Sequence, residues 1–225
     1  MEKVAIVTGS SSGIGYETTL ALARDGFYTF ATVRSAKKAQ KLLEVTKKEK
    51  LNIEIIELDM DDEKSIKSAF EKIFSKKQRI DVLVNNAGWA LFGSLEDVLI
   101  KDFRLQFETN FFGIIGIIQK VAPIMRKQGS GIIVNISSVA GRIGFPGSSA
   151  YISSKFALEG LSESLRYELG QFGVKVIIIE PGVVKTNLFS SMKIAEPKSD
   201  SPYKEITEKV VMGVKMMAEL GTPPS

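Results

Sequence analysis

The 225 residues are 44% hydrophobic and 25% charged, the balance of an ordinary globular protein with enough chain to bury one substantial core. Neither cysteine nor histidine occurs, which excludes disulfides, thiolate chemistry and the commonest metal ligand and general base, so no metal site is expected. The formal charge of +4 is dispersed among acids, as in Lys47-Lys48-Glu49-Lys50, a solvated-surface pattern that argues against a nucleic-acid partner.

The first apolar run, 4–8, reads as a strand with no leader expected ahead of it. It passes directly into Thr8-Gly9-Ser10-Ser11-Ser12-Gly13-Ile14-Gly15 and a helical pattern over 13–26. Small residues at a strand-to-helix turn let the backbone approach a pyrophosphate and aim helix N–H groups at it. The spacing is G-x-x-x-G-x-G, and such a turn is weak evidence by itself.

A second strand over 28–33 follows. An NAD site usually places an acid at its end to hold the ribose hydroxyls, whereas an NADP site uses cations for the 2′-phosphate. No acid occurs from Gly26 to Leu43; Thr32 stands near the expected position, with Arg34, Lys37 and Lys38 close by. A planar guanidinium suits a phosphate, so the expected cofactor is NADP(H).

Alternation then continues: helix 36–49, strand 53–58, helix 61–77, strand 81–85, helix 101–128, strand 131–137, helix 150–172 and strand 175–180. Near-continuous apolar strands separated by helices predict an α/β fold, a doubly wound parallel sheet of Rossmann type, with 1–225 as a single domain. The most apolar stretch, 111–118, is too short to cross a bilayer, and a cytoplasmic location with no membrane partner is expected. Residues 186–203, rich in Ser and Pro, read as a loop, and 204–220 as a last helix.

Ligands in such sheets sit beyond the carboxyl ends of the strands, and chemistry-bearing residues gather there. Tyr151 and Lys155 are spaced i, i+4 near a helix start, which puts them on one face. A nearby ammonium stabilises a phenolate, so the pair is suited to proton exchange near neutral pH. The strand 131–137 leads into Ser138, 13 residues before Tyr151, and its hydroxyl is placed to stabilise charge on a substrate oxygen. Asn110 is an amide inside an apolar segment and needs partners there.

Taken together, these motifs resemble the short-chain dehydrogenases/reductases along nearly the whole chain. The resemblance implies a catalytic set of Asn110, Ser138, Tyr151 and Lys155. It implies a cofactor site formed by Gly9, Ser11, Ser12, Gly13, Ile14, Gly15, Arg34, Asp59, Met60, Asn86, Ala87, Gly88, Tyr151, Lys155, Pro181, Gly182, Val184 and Thr186. Within that set Asp59 looks like the adenine contact, Asn85-Asn86-Ala87-Gly88 like the element bordering the adenosine, and Pro181-Gly182 with Thr186 like the nicotinamide-side element. The implied activity is hydride transfer between NADP(H) and a carbonyl or alcohol, with Tyr151 as acid–base, Lys155 lowering its pKa and holding the nicotinamide ribose, and Asn110 supporting a water relay. The alternative is a non-catalytic NADP-binding regulator of the same fold.

Members of that family usually continue with a further helix and a seventh strand, so the last strand is expected to be missing and 175–180 to form an edge. A homo-oligomer is expected, a dimer more than a tetramer, through the helices holding Asn110 and Tyr151. The small-molecule substrate's walls are expected from 89–94, 142–148 and 186–203, without fixing its identity.

Overall fold

The computed structural model describes residues 2–186 and 192–221. Its strands are β1 (Val4–Val7), β2 (Tyr28–Val33), β3 (Ile53–Glu57), β4 (Val82–Asn85), β5 (Leu91–Phe92), β6 (Gly131–Ile136), β7 (Val174–Ile179) and β8 (Lys193–Ile194). Six of them form an all-parallel central sheet of order β3-β2-β1-β4-β6-β7. The order reverses between β1 and β4, so the loops that leave these two strands diverge and open a crevice at their carboxyl ends.

Both faces of β1 are covered, and all four of its residues are buried. On one face α1 (Gly13–Arg24) and α2 (Gln40–Glu49) bring Tyr16, Leu20 and Leu42 against Ala31. On the other, Val4, Ile6, Phe30, Leu83 and Ile133 pack with α3 (Glu63–Lys76), α5 (Gly113–Gln128) and α6 (Ser149–Gly170) through Ile66, Phe70, Ile114, Ile117 and Leu158. Burying such side chains contributes roughly 1.5–3 kcal/mol each.

Among the described residues β3 and β7 are the edges of the sheet, and Ile177 and Ile179 on β7 are 41% and 46% exposed.

The helix expected over 101–128 is interrupted. It runs as α4 (Ile100–Phe107), a π turn (Glu108–Phe112), and α5. The loop expected over 186–203 also differs. Residues 187–191 lie outside the described residues, but β8 pairs in parallel with β5. Lys193 N donates to Ala90 O at 2.9 Å and Ala195 N to Phe92 O at 2.7 Å. The final helix, α7 (Lys204–Leu220), lays Val211 and Val214 against Ala90, Phe92 and Tyr151.

Candidate active site

The turn after β1 is shaped by close backbone approach. Gly9 has φ +68°, and a Cβ there would stand 2.8 Å from Ala87 Cα, so only glycine fits without moving the neighbouring strand's backbone. Thr8 ties the two loops together: its Oγ1 accepts from Asn86 N at 2.9 Å and Ala87 N at 3.0 Å. The Asn86 amide returns a hydrogen bond to Thr8 O at 2.9 Å. Ser12, at the N-cap of α1, makes no side-chain cap bond, leaving first-turn N–H groups for a ligand at the positive end of the helix.

These loops open into a cleft of about 1110 Å³, just above the 300–1,000 Å³ usual for one small ligand. Of the expected cofactor residues it is lined by Gly9, Ser11, Ser12, Gly13, Ile14, Arg34, Met60, Asn86, Ala87, Gly88, Tyr151, Lys155, Pro181, Gly182, Val184 and Thr186.

Three expected site residues do not face it. Gly15 lies behind the turn, where a Cβ would run into the Asn86 amide. Asp61 lines the cleft wall, while Asp59 has its Oδ1 accepting from Asp61 N at 3.2 Å and 3.7 Å from Arg34 Nε. Asn110 is completely buried. Both its N–H groups are used, on Trp89 O at 3.0 Å and Ser154 Oγ at 3.2 Å, and its oxygen accepts from Trp89 N at 3.2 Å. It braces the π turn against α6 and the chain after β4.

At the other end of the cleft α6 presents Tyr151 and Lys155, 8% and 6% exposed. Ser138 stands beside the Tyr151 phenol and favours its ionised form, and the Ser138 hydroxyl oxygen accepts from Ala140 N at 3.1 Å. Lys155 Nζ lies 5.8 Å from the Tyr151 ring centre and donates to Ile136 O at 2.8 Å. Burial lowers the Lys155 ammonium to about 8, opposed by the Glu159 carboxylate. Burial likewise raises the Tyr151 phenol, against the lowering influence of Ser138. The expected lowering of Tyr151 by Lys155 is not what dominates here; desolvation is.

At the end of the cleft away from Tyr151, Arg34 and Lys38 line the wall together with the buried Thr32. Arg34 has a 58% exposed side chain and only long contacts, to Asp59 at 3.7 Å and Asp61 at 4.0 Å. Lys38, one of the cations the sequence places after β2, joins Arg34 at the wall.

The residues fit a dinucleotide. The glycine turn, the uncapped helix start and the cleft's length form a cradle for a pyrophosphate, with cations at one end and a phenol at the other. On the substrate side Phe92, Ile143, Phe145, Val210, Val214 and Met217 give an apolar wall. Among the described residues no group of three or more acidic side chains could hold a metal.

A family model described as short chain dehydrogenase matches residues 3–197. The chain is 45% identical to the oxidoreductase YusZ of Bacillus subtilis over 99% of this chain and 81% of that protein. It is 36% identical to a 3-ketodihydrosphingosine reductase of Bacteroides thetaiotaomicron over 86% of this chain and 68% of that one. A metagenomic short-chain oxidoreductase solved in complex with NADP superposes with TM-score 0.77 at 31% identity, over 80% of this chain and 82% of that chain.

Proposed function

We propose, for a chain that belongs to the short-chain dehydrogenase family of oxidoreductases, that it interconverts an apolar carbonyl compound and its alcohol with NADP(H), using Tyr151 as the proton donor and acceptor. The observation that carries this reading is the buried Tyr151 phenol, which lines the cleft with Ser138 and Lys155 at its apolar end, opposite an end cradled for phosphate.

A bound nicotinamide dinucleotide supplies hydride transfer. Gly9, Ser11, Ser12, Gly13 and Ile14 receive its pyrophosphate, Met60, Asn86, Ala87 and Gly88 border the adenosine, and Pro181, Gly182, Val184 and Thr186 lie on the nicotinamide side. Arg34, joined by Lys38, takes a 2′-phosphate, and Thr32 offers no carboxylate to favour NAD(H). Ser138 polarises the substrate oxygen, and Tyr151 gives that oxygen its proton in the reducing direction. Lys155 supports a Tyr151 phenolate and holds the nicotinamide ribose. Asn110 acts as a brace that fixes Trp89 and α6.

The apolar wall of Phe92, Ile143, Phe145, Val210 and Val214 favours a hydrophobic carbonyl substrate, in keeping with the sphingoid-base reductase among the relatives. An exposed Phe112 beside the ring series Phe103, Phe107 and Phe111 supports a dimer through α4 and α5.

A panel of aldehydes, ketones, steroids and acyl thioesters, followed by NADPH absorbance, tests the reading. Turnover by wild type, with Tyr151→Phe retaining NADPH binding but losing most of the rate, is expected. NADPH binding without turnover on any compound would leave a non-catalytic regulator instead.

A further inference from the structure

Tyr151 and Lys155 are the first two members of a three-rung series on α6, and the third is Glu159, again four residues on. Glu159 is only 4% exposed, and neither of its carboxylate oxygens has a hydrogen-bond partner among the described residues. A buried carboxylate of this kind is retained only where charge compensates it. Two cations stand near it, Arg142 in ion-pair contact and Lys155 one helical turn away.

From the solvent side Arg142, after the short 3-10 turn Val139–Gly141, sets Nη2 3.3 Å from Glu159 Oε2. The same guanidinium reaches Glu180 at 2.9 Å and Glu163 at 3.6 Å. Lys155 stands one turn before Glu159 on the same face of α6 and is likewise buried, 6% exposed.

The backbone keeps this approach open. A Cβ on Gly141 would stand 2.9 Å from Glu159 Oε1 and 2.7 Å from Ser137 Oγ. Ser137 Oγ is itself buried without a partner. The groups around the carboxylate are therefore Lys155 and Glu163 on its own helix, Arg142 after the 3-10 turn, Glu180 after β7, and the neutral Ser137 at the end of β6.

We propose that Glu159 is a positioning residue of the proton-transfer site, whose buried carboxylate, anchored by Arg142, keeps Lys155 in its ammonium form beneath Tyr151. The inference rests on the oxidoreductase reading for its purpose, but the coupling between Glu159 and Lys155 stands apart from it. Burial alone favours the neutral amine, and a neutral amine neither supports a phenolate nor holds a ribose oxygen through charge. Lys155 already spends one N–H on Ile136 O, so the carboxylate acts through its field and leaves the remaining protons of the ammonium available on the cleft side.

The test is a pH titration of the full chain labelled with 13C at lysine Cε, followed by NMR, with the Lys155 signal assigned by its loss in Lys155→Met. Glu159→Gln should lower the Lys155 midpoint by about one pH unit or more. Glu159→Asp, which withdraws the charge by one methylene, should lower it by less. A merely structural Glu159 would lower the melting temperature of Glu159→Gln and leave the midpoint in place, which would overturn the proposal. Where the Gln variant does not fold, the Asp variant decides: an unmoved midpoint in that folded protein overturns the proposal equally. If wild type turns over a carbonyl substrate, the alkaline limb of its rate profile should shift with the midpoint in the variants. A shifted midpoint in a protein without turnover supports the coupling and sinks the enzymatic reading alone.

Discussion

Replacing Lys155 by methionine should change how stability depends on pH more than it changes stability at any one pH. In the native protein the Lys155 ammonium is lowered to about 8, from 10.5 for a free lysine, mainly by burial. Below pH 8 the side chain is charged in both native and unfolded states, and its burial is a full cost. As pH rises through 8 the native site releases its proton first, while the unfolded chain holds its own until above 10. The unfolded state then binds more protons, so stability rises with pH across that window. From pH 7 to pH 10 this one group contributes a gain of about 2 to 3 kcal/mol. The thioether of the Lys155→Met variant has no proton to release and shows none of it. The hydrogen bond to Ile136 O is lost in the variant at every pH, a constant that cancels in the comparison. Tyr151, raised by burial, remains in both proteins and opposes the trend only where free phenols ionise, above about 10. Urea unfolding of both proteins at pH 7, 8, 9 and 10 measures the effect. The wild-type advantage should grow with pH, equivalent to a relative shift of roughly 5 to 10 °C in melting temperature for a chain of this size. Parallel stability curves, within about 0.5 kcal/mol over the range, would show that Lys155 is not held in a desolvated site.

Gly9→Ala puts a Cβ against the Ala87 backbone at φ +68° and should destabilise by about 2 kcal/mol or more, read by thermal melting, with NADPH no longer raising the melting temperature. Arg34→Ala and Thr32→Asp should each move the ratio of NADPH to NADH affinity toward NADH, by about tenfold for one lost charge-assisted contact; an unchanged ratio in fluorescence titrations would remove Arg34 from the phosphate site. Asp97 accepts from Ser94 Oγ at 2.6 Å, Ser201 Oγ at 2.7 Å and Lys198 N at 3.2 Å, fastening the segment after β8 to the one before α4. Asp97→Ala should speed tryptic cleavage at Lys193 and Lys198 severalfold while cleavage elsewhere is unchanged, as mass spectrometry of timed digests would show.

The parallel sheet is legible in the sequence because its strands are apolar on both faces and alternate with helical patterns long enough to cross over. The glycine-rich turn and the Tyr151–Lys155 pair are legible because each depends on spacing along one local element. What escapes depends on distant partners. Leu91–Phe92 and Lys193–Ile194 are two-residue strands and carry no periodicity of their own. Asp59 and Asp61 both stand after β3, and only the turn before α3, N-capped by Asp62, decides which reaches the cleft. That Asn110 needs partners follows from its apolar surroundings, but which groups they are depends on the π turn. Glu159 looks like one more acid on a helix surface, since nothing local announces that Arg142 folds over it.

The π turn at Glu108–Phe112 has a further consequence. One extra residue in a helical turn rotates everything before it by about 100° relative to everything after it. Deleting a single residue there would restore a regular helix and, judged by backbone hydrogen bonding alone, a better one. The same deletion would swing Asn110 away from Trp89 and Ser154 and break the apolar stripe that α5 lays on the sheet. Local regularity and the architecture of the cleft pull in opposite directions at this point, and the fold has settled in favour of the cleft.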